Sequence, residues 1–241
     1  MQLYLACGPE DDVPRHVTPV RAAYRLDGEG ALCALSLPRQ MQGGLLLLTA
    51  YAGRCGEHTA QALTQECRRR RYSGVVVPFP APALARALSR PLYRAGLELW
   101  LHERDAPAAS GCWVLVNTAQ PRGSLQDRLT RAVRAFGPER IVLDVQRLRM
   151  DFPLPCPDGE GAYLTAAQLC RLRAGRTVFY SKELGVRYFT YRQGSASRFV
   201  LLDDGDTLRR KLALGAQLGI TRGLLTMPEC GDVLAEVLAS V

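Results

Sequence analysis

The chain of 241 residues is 47% hydrophobic and 22% charged, a globular composition that excludes a disordered or fibrous protein. Its formal net charge of +8 comes almost entirely from arginine, because the only lysines are Lys182 and Lys211. Such a surface suits phosphates or anionic glycans, but no aromatic and basic residues alternate as in an RNA-binding platform. No segment approaches the ~20 apolar residues of a membrane helix, so we expect neither nucleic acid nor membrane as a partner.

The eight cysteines are scattered, with no C-x-x-C pair and only three histidines to assist them. This spacing predicts free, mostly buried thiols, no disulfide framework and no metal site. No cofactor-binding motif is present either, since no G-x-G-x-x-G follows a strand. The N-terminus lacks a basic region followed by a long apolar stretch, so we expect no signal peptide.

Short apolar strands alternate with amphipathic helices along the whole chain. The first strand covers residues 2–8, and a hairpin-like pair surrounds Asp27-Gly28-Glu29-Gly30. The later strands are predicted at residues 44–51, 74–79, 97–103, 112–119, 140–148, 176–181 and 223–227. The helices are predicted at residues 57–70, 83–96, 124–137, 164–175 and 206–219, with Ser124 and Thr165 as N-caps.

This alternation predicts an α/β protein with parallel strands and helices on the outside. About eight strand candidates favour a closed (β/α)8 TIM barrel over an open sheet. A hairpin at residues 188–203 interrupts the series, so we expect a small hairpin insertion in the C-terminal half. No linker of low complexity divides the chain, and we expect one domain over residues 1–241.

The stretch YSGVVVPFP, residues 72–80, resembles the fourth strand of the family 18 glycoside hydrolases, the chitinase-like barrels. The similarity is greatest to the branch found in bacterial spore-germination and cell-wall proteins. Tyr72, Gly74 and Phe79 match the aromatic and glycine frame of that strand. At its four polar positions, however, the chain carries Ser73, Val76, Pro78 and Pro80.

Two C-terminal stretches extend the resemblance. Residues 140–155 and 188–227 are similar to the segments that surround the last two barrel strands of the same branch. The match runs in order from about Gly44 onward. The segment before Gly44 is shorter than in the family, and we expect it to lack the first outer helix.

The resemblance implies a mechanism that this chain has lost. In the family, the glutamate at the end of the fourth strand protonates the glycosidic oxygen, and the N-acetyl group of the substrate attacks the anomeric carbon. Pro80 stands for that glutamate and Pro78 for the neighbouring aspartate, and proline offers no acidic group. The sixth-strand residues that hold the sugar are replaced by Val116–Gln120, and the tryptophan of the last strand aligns near Met227. We therefore expect a catalytically inactive barrel, cytoplasmic or spore-associated.

The C-terminal ends of the strands would form the ligand site of such a barrel. The candidate ligand-binding residues there are Glu103, Asn117, Gln120, Gln146, Met227 and Glu229. Asp144 lies within a strand, and we expect it to pair with an arginine. His102 is expected to be structural, and Arg147 and Arg149 would bring positive charge to the mouth.

Three functions remain open at this point. The first is binding of a cell-wall glycan, a muropeptide-type ligand or a protein partner, which an open groove lined by Tyr51, Trp100 or Trp113 would favour. The second is a divergent hydrolase with relocated carboxylates, Glu103 and Glu229. The third is a structural spore or cell-wall protein, which a mouth filled by Phe79, Met150 and Met227 would favour.

Overall fold

Eight parallel strands close into a barrel in the computed structural model, which describes residues 1–35, 37–38, 41–156 and 159–239. The first strand pairs with both the second and the last strand of the ring, and these two contacts close it. The barrel strands in chain order are β1 (Gln2–Cys7), β2 (Thr18–Leu26), β4 (Leu45–Tyr51), β5 (Gly74–Val77), β6 (Glu98–His102), β7 (Trp113–Asn117), β8 (Ile141–Asp144) and β14 (Arg222–Thr226). A short strand, β3 (Leu32–Ala34), runs antiparallel to β2 and forms the first predicted hairpin.

Amphipathic helices cover the outside of the barrel. The long ones are α1 (Glu57–Arg70), α2 (Pro82–Arg94), α3 (Leu125–Phe136) and α5 (Gly205–Gln217); α6 (Met227–Cys230) and α7 (Leu234–Leu238) are short. Single 3-10 turns lie at Ala106–Ala108, Pro138–Arg140 and Gly231–Val233. Residues 8–17, which join β1 to β2, contain no helix, as expected for the shortened N-terminal segment. The predicted TIM barrel is confirmed.

An antiparallel sheet is inserted between β8 and β14. Its strands are β9 (Arg149–Leu154), β10 (Ala162–Tyr163), β11 (Phe179–Ser181), β12 (Val186–Gln193) and β13 (Ala196–Leu202), in the order β10-β9-β13-β12-β11. The predicted hairpin is β12–β13, so the insertion is larger than the hairpin alone. Helix α4 (Ala166–Arg173), capped by Thr165, packs Leu169 against Phe189 and Val200 on one face of this sheet.

Apolar side chains fill the barrel interior, which we call the inner core. It comprises Tyr4, Ala6, Val20, Leu45, Leu47, Val76, Trp100, Leu115, Val142 and Leu224. Trp100 is completely buried at its centre, with its ring 4.7 Å from that of Tyr4. The alternate residues of the strands, such as Val75 and Leu101, pack outward against the helices in a second apolar layer, the outer core. The barrel is therefore a packed core and not a pore.

The N-terminal end of the barrel is closed by a charged cluster that we call the base plug. Arg222 of β14 pairs with Glu98 of β6 at 2.7 Å, across two intervening strands, so both side chains lie inside the ring. The Arg222 guanidinium stacks 3.5 Å from the centre of the Trp113 ring. Trp100 and Trp113 therefore belong to the centre and base of the barrel. Neither tryptophan therefore lines a groove at the mouth, the feature that would have favoured glycan binding there.

All eight cysteines are free, and Cys7, Cys67, Cys112 and Cys230 are buried, in agreement with the prediction of unpaired thiols. Within the described ranges, no helix is long and apolar enough to cross a membrane.

Candidate ligand site at the barrel mouth

The end of the fourth barrel strand carries no acid. Val76 is fully buried in the inner core, while Pro78 is half-buried and Pro80 is exposed just beyond the C-terminal end of β5. Ser73 is exposed at the opposite end of the strand. The turn after Pro80 is held by Asp105, a buried residue whose carboxylate accepts a hydrogen bond from the Ala81 backbone N–H. This carboxylate is engaged by the backbone, and sequence reasoning did not single it out.

A cavity of about 390 Å³ opens beside this strand, at the ends of β6 and β7. Its walls are formed by His102, Glu103, Arg104, Asn117, Ala119, Gln120, Pro121, Arg128 and Arg131. Three of the predicted ligand-binding residues, Glu103, Asn117 and Gln120, thus share one cavity. Most of its other polar groups are cationic or neutral, which is the lining of a binding cavity and not of a paired-carboxylate active site.

A chain of amide and carboxyl groups extends from this cavity toward the barrel axis. The Asn117 amide donates to Oε1 of Gln146 at 2.8 Å, and the Gln146 amide donates to Oδ2 of Asp144 at 2.7 Å. Burial raises the pKa of Asp144 to about 7; the Gln146 hydrogen bond opposes this effect, and the charge of Glu229 adds to it. The expectation of an arginine partner for Asp144 is wrong, because its partner is the amide of Gln146.

Gln120 presents an unused acceptor in the same cavity. Its amide N–H donates to the Arg122 carbonyl, whereas its buried Oε1 has no hydrogen-bond partner among the described residues. A buried acceptor without a donor costs free energy, and a hydroxyl or amide N–H of a ligand would relieve this cost. Because this oxygen is buried, a ligand donor would reach it only after the Gln120 amide turns toward the cavity.

The two carboxylates considered for relocated catalysis are both engaged, Glu103 by an arginine side chain and Glu229 by a backbone N–H. Glu103 forms an ion pair with Arg128, which also donates from Nε to the Asn117 carbonyl at 3.0 Å. Glu229, after the end of β14, accepts a hydrogen bond from the Arg147 backbone N–H at 3.1 Å. Met227 packs, half-buried, against the outer core. The six predicted residues thus divide between the cavity side and the Glu229 side of the mouth, with Gln146 joined to the cavity through Asn117.

His102 lies in the cavity wall, and the apolar side chains whose position would distinguish an open mouth from a filled one lie elsewhere. His102 lines the cavity and accepts at Nδ1 from the Arg104 backbone N–H, and burial lowers its pKa. Phe79 packs against the outer core, as does Tyr51, and Met150 packs against the inserted sheet. The outer core or the inserted sheet therefore holds each of these apolar side chains.

A row of aromatic rings on the inserted sheet adjoins the cavity, and we call it the aromatic row. Phe179 lies 5.6 Å from Tyr188, and Tyr188 lies 5.2 Å from Phe199, measured between ring centroids. The same face of the sheet packs against Ala119, which also lines the cavity. A smaller cavity of about 140 Å³ contains Phe199 and shares Pro121 with the first one. Sequence reasoning missed this row, because it forms only through the pairing of β11, β12 and β13.

Comparison with known proteins gives matches among solved structures. The chain superposes on a chitinase from Chromobacterium violaceum ATCC 12472 with a TM-score of 0.65 and 16% identity, covering 99% of this chain and 98% of that one. It superposes on the spore cortex-lytic enzyme SleL of Bacillus megaterium QM B1551 with a TM-score of 0.61 and 13% identity, covering 93% of this chain and 70% of that one. The chain has the barrel fold of the family 18 glycoside hydrolases.

Another structure with this fold is described as a pseudo-chitinase with retained chitooligosaccharide binding properties. This protein, human YKL-39, superposes with a TM-score of 0.62 and 10% identity, over 98% of this chain and 97% of that chain. No family model and no curated protein matches the sequence. The similarity of fold therefore supports the family resemblance of residues 72–80 and of the C-terminal half, although no sequence match does. A fold persists after the sequence has diverged.

Proposed function

We propose that the chain is a family 18-like barrel without glycosidase activity that binds a glycan at the mouth. The observation that carries the proposal is the end of β5, where Val76, Pro78 and Pro80 occupy the positions that resemble the acidic motif. A glycosidase needs one group to protonate the leaving oxygen, and none of these three side chains can do so.

The cavity supports binding of a neutral polyhydroxyl ligand. The side chains of Asn117, His102 and Gln120 contribute polar groups to the lining, and the aromatic row offers apolar faces next to them. A sugar ring presents hydroxyl groups at its edge and C–H groups on its faces, so it matches a surface with both kinds of contact. A spore or cell-wall glycan fits the names of the enzymes that share the fold.

Incubation with chitooligosaccharides and muropeptides tests the proposal, with product release and thermal shift measured on the same samples. We expect a saturable thermal shift without product release. Gln120→Ala and Tyr188→Ala should each weaken binding. Their matched controls are Gln126→Ala, on the exposed side of α3, and Tyr93→Ala, an exposed tyrosine on α2.

Two results would contradict the proposal in different ways. Product release that disappears in Glu103→Gln or Glu229→Gln would establish a hydrolase with relocated acids. Neither binding nor turnover with any of these ligands would favour the structural role.

A further inference from the structure

A second cavity, of about 450 Å³, lies between helix α4 of the inserted segment and the chain that follows barrel strands β8 and β14. Its polar lining is Arg147 and Arg149, which follow β8, Arg173 of α4, and Asp232, which follows α6. Three arginines from two separate parts of the fold thus face one aspartate. Such an excess of positive charge in a concave site attracts anions.

Arg147 and Arg149 meet at a backbone carbonyl oxygen. Nη1 of Arg147 and Nη2 of Arg149 both donate to the carbonyl oxygen of Glu229, at 3.1 and 2.9 Å. Two guanidinium groups on one neutral oxygen repel each other, and of these two only Arg147 has an ion-pair partner among the described residues, Asp232. An anion between them would remove this repulsion.

Unused hydrogen-bond donors remain in the same place. Nε of Arg149 is buried and has no partner among the described residues. Arg173 forms no ion pair within the part of the chain that the structure describes. Guanidinium groups present donors in a planar fork that matches the oxygens of carboxylate and phosphate groups.

The position in the barrel points to the same kind of ligand. Arg147 and Arg149 follow the seventh barrel strand, and Asp232 follows the eighth. In TIM barrels, phosphate groups are frequently bound by the loops after these two strands. The apolar part of the lining, with Leu169 and Ala174, lowers the local dielectric constant and strengthens charge interactions in the cavity.

We propose that this cavity binds an oxyanion group, phosphate or carboxylate, through Arg149 and Arg173, with Arg147 positioned beside them. The site is separate from the glycan cavity, because the two cavities have no lining residue in common. Failure of glycan binding would therefore leave this proposal intact, and the reverse also holds.

Titration of the full chain with inorganic phosphate, acetate or chloride at constant ionic strength tests the proposal, with affinity measured by calorimetry. We expect saturable binding of phosphate or acetate that weakens about fivefold or more in Arg173→Ala, since a charge-assisted hydrogen bond is lost. Arg171→Ala is the matched control, because Arg171 is also exposed on α4 but does not line the cavity.

The thiol of Cys170 gives a second measurement that does not depend on stability. Cys170 is exposed and lines this cavity, whereas Cys156, beyond strand β9, lines the smaller cavity that contains Phe199. A bound oxyanion should slow the alkylation of Cys170 by neutral iodoacetamide, and leave Cys156 unaffected. Chloride acting as well as phosphate and acetate, or equal affinity in Arg173→Ala and the unaltered chain, would overturn the proposal.

Discussion

The two ends of the barrel interior both contain polar side chains, but they differ in how fully these are paired. At the base, Arg222 and Glu98 satisfy each other through two hydrogen bonds, and Trp100 and Trp113 cover the guanidinium. At the mouth, Gln120 keeps a buried acceptor without a donor, and Asp144 is a carboxyl group bonded to an amide instead of a cation.

This difference separates a structural cluster from a binding site. A polar group that is already paired contributes to stability and has little left to offer a ligand. A group that is buried and incompletely paired costs free energy in the empty protein, and this cost is recovered when a ligand supplies the missing partner. Substitutions at the base should therefore change stability alone, whereas substitutions in the mouth cavity should change binding.

The largest effect is expected at the buried ion pair between Lys211 and Asp203. Lys211 of α5 donates to Oδ2 of Asp203 at 2.6 Å, both side chains are completely buried, and Asp203 also accepts from the Leu148 backbone N–H. Lys211→Met leaves a buried carboxylate without its cation and should lower the free energy of unfolding by about 3–5 kcal/mol. Urea denaturation measures this loss.

A double variant provides the control for this prediction. Asp203→Asn in the Lys211→Met background removes the uncompensated charge and keeps an oxygen that can accept from Leu148. It should recover a large part of the lost stability. A double variant no more stable than Lys211→Met would show that packing, and not charge, accounts for the loss.

The next effect concerns Asp144 and depends on pH. Its pKa is about 7 in the folded protein and 3.8 in the unfolded chain, so the folded state holds the proton over this interval. The stabilising contribution of the protonated carboxyl is complete below pH 3.8 and is lost as the pH rises to about 7. Asp144→Asn mimics the protonated form and should raise the free energy of unfolding at pH 8 by roughly 2–4 kcal/mol, with little change at pH 4.

Urea denaturation of both proteins from pH 4 to pH 8 measures how the free energy of unfolding falls as the pH rises. Asp12→Asn is the control, because Asp12 is an exposed carboxylate in the loop after β1. Equal pH dependence in Asp144→Asn and the unaltered chain would mean that Asp144 is ionised in the folded protein.

Much of the barrel could be predicted from the sequence because its elements carry local signals. Helix α1 was predicted at residues 57–70 and is observed at Glu57–Arg70, where an apolar face ends in a run of arginines. The strand GVVV was predicted from its continuous apolar run and is buried on both faces. Such runs are typical of parallel strands between a barrel interior and its helices.

The direction of each side chain could not be predicted in the same way. In β6, Leu99 and Leu101 face the helices while Trp100 faces the barrel axis, and all three are apolar. When both faces of a strand are buried, hydrophobicity does not alternate, so the sequence does not tell which residues point inward. This is why the sequence left open whether Trp100 and Trp113 line a groove at the mouth.

The contacts of the site depend on pairing between distant strands. Asn117 and Gln146 were both candidates, but their hydrogen bond follows from the pairing of β7 with β8, which places Asn117 opposite Asp144. The aromatic row likewise needs the order of β11, β12 and β13 in the inserted sheet, where Phe179 lies opposite Tyr188. Neither arrangement has a local signal in the chain.

The smallest effect is expected at the base plug, and it tests the comparison directly. Arg222→Met removes a partly exposed ion pair and the stacking on Trp113, which together should lower the free energy of unfolding by about 2 kcal/mol. Arg222→Lys keeps the charge but loses the planar contact, so it should fall between Arg222→Met and the unaltered chain. Because the packed inner core lies between base and mouth, glycan affinity should be unchanged in both variants. A loss of affinity comparable with that of Gln120→Ala would mean that the two ends are coupled through the Trp100 layer, and the division into a structural base and a binding mouth would have to be abandoned.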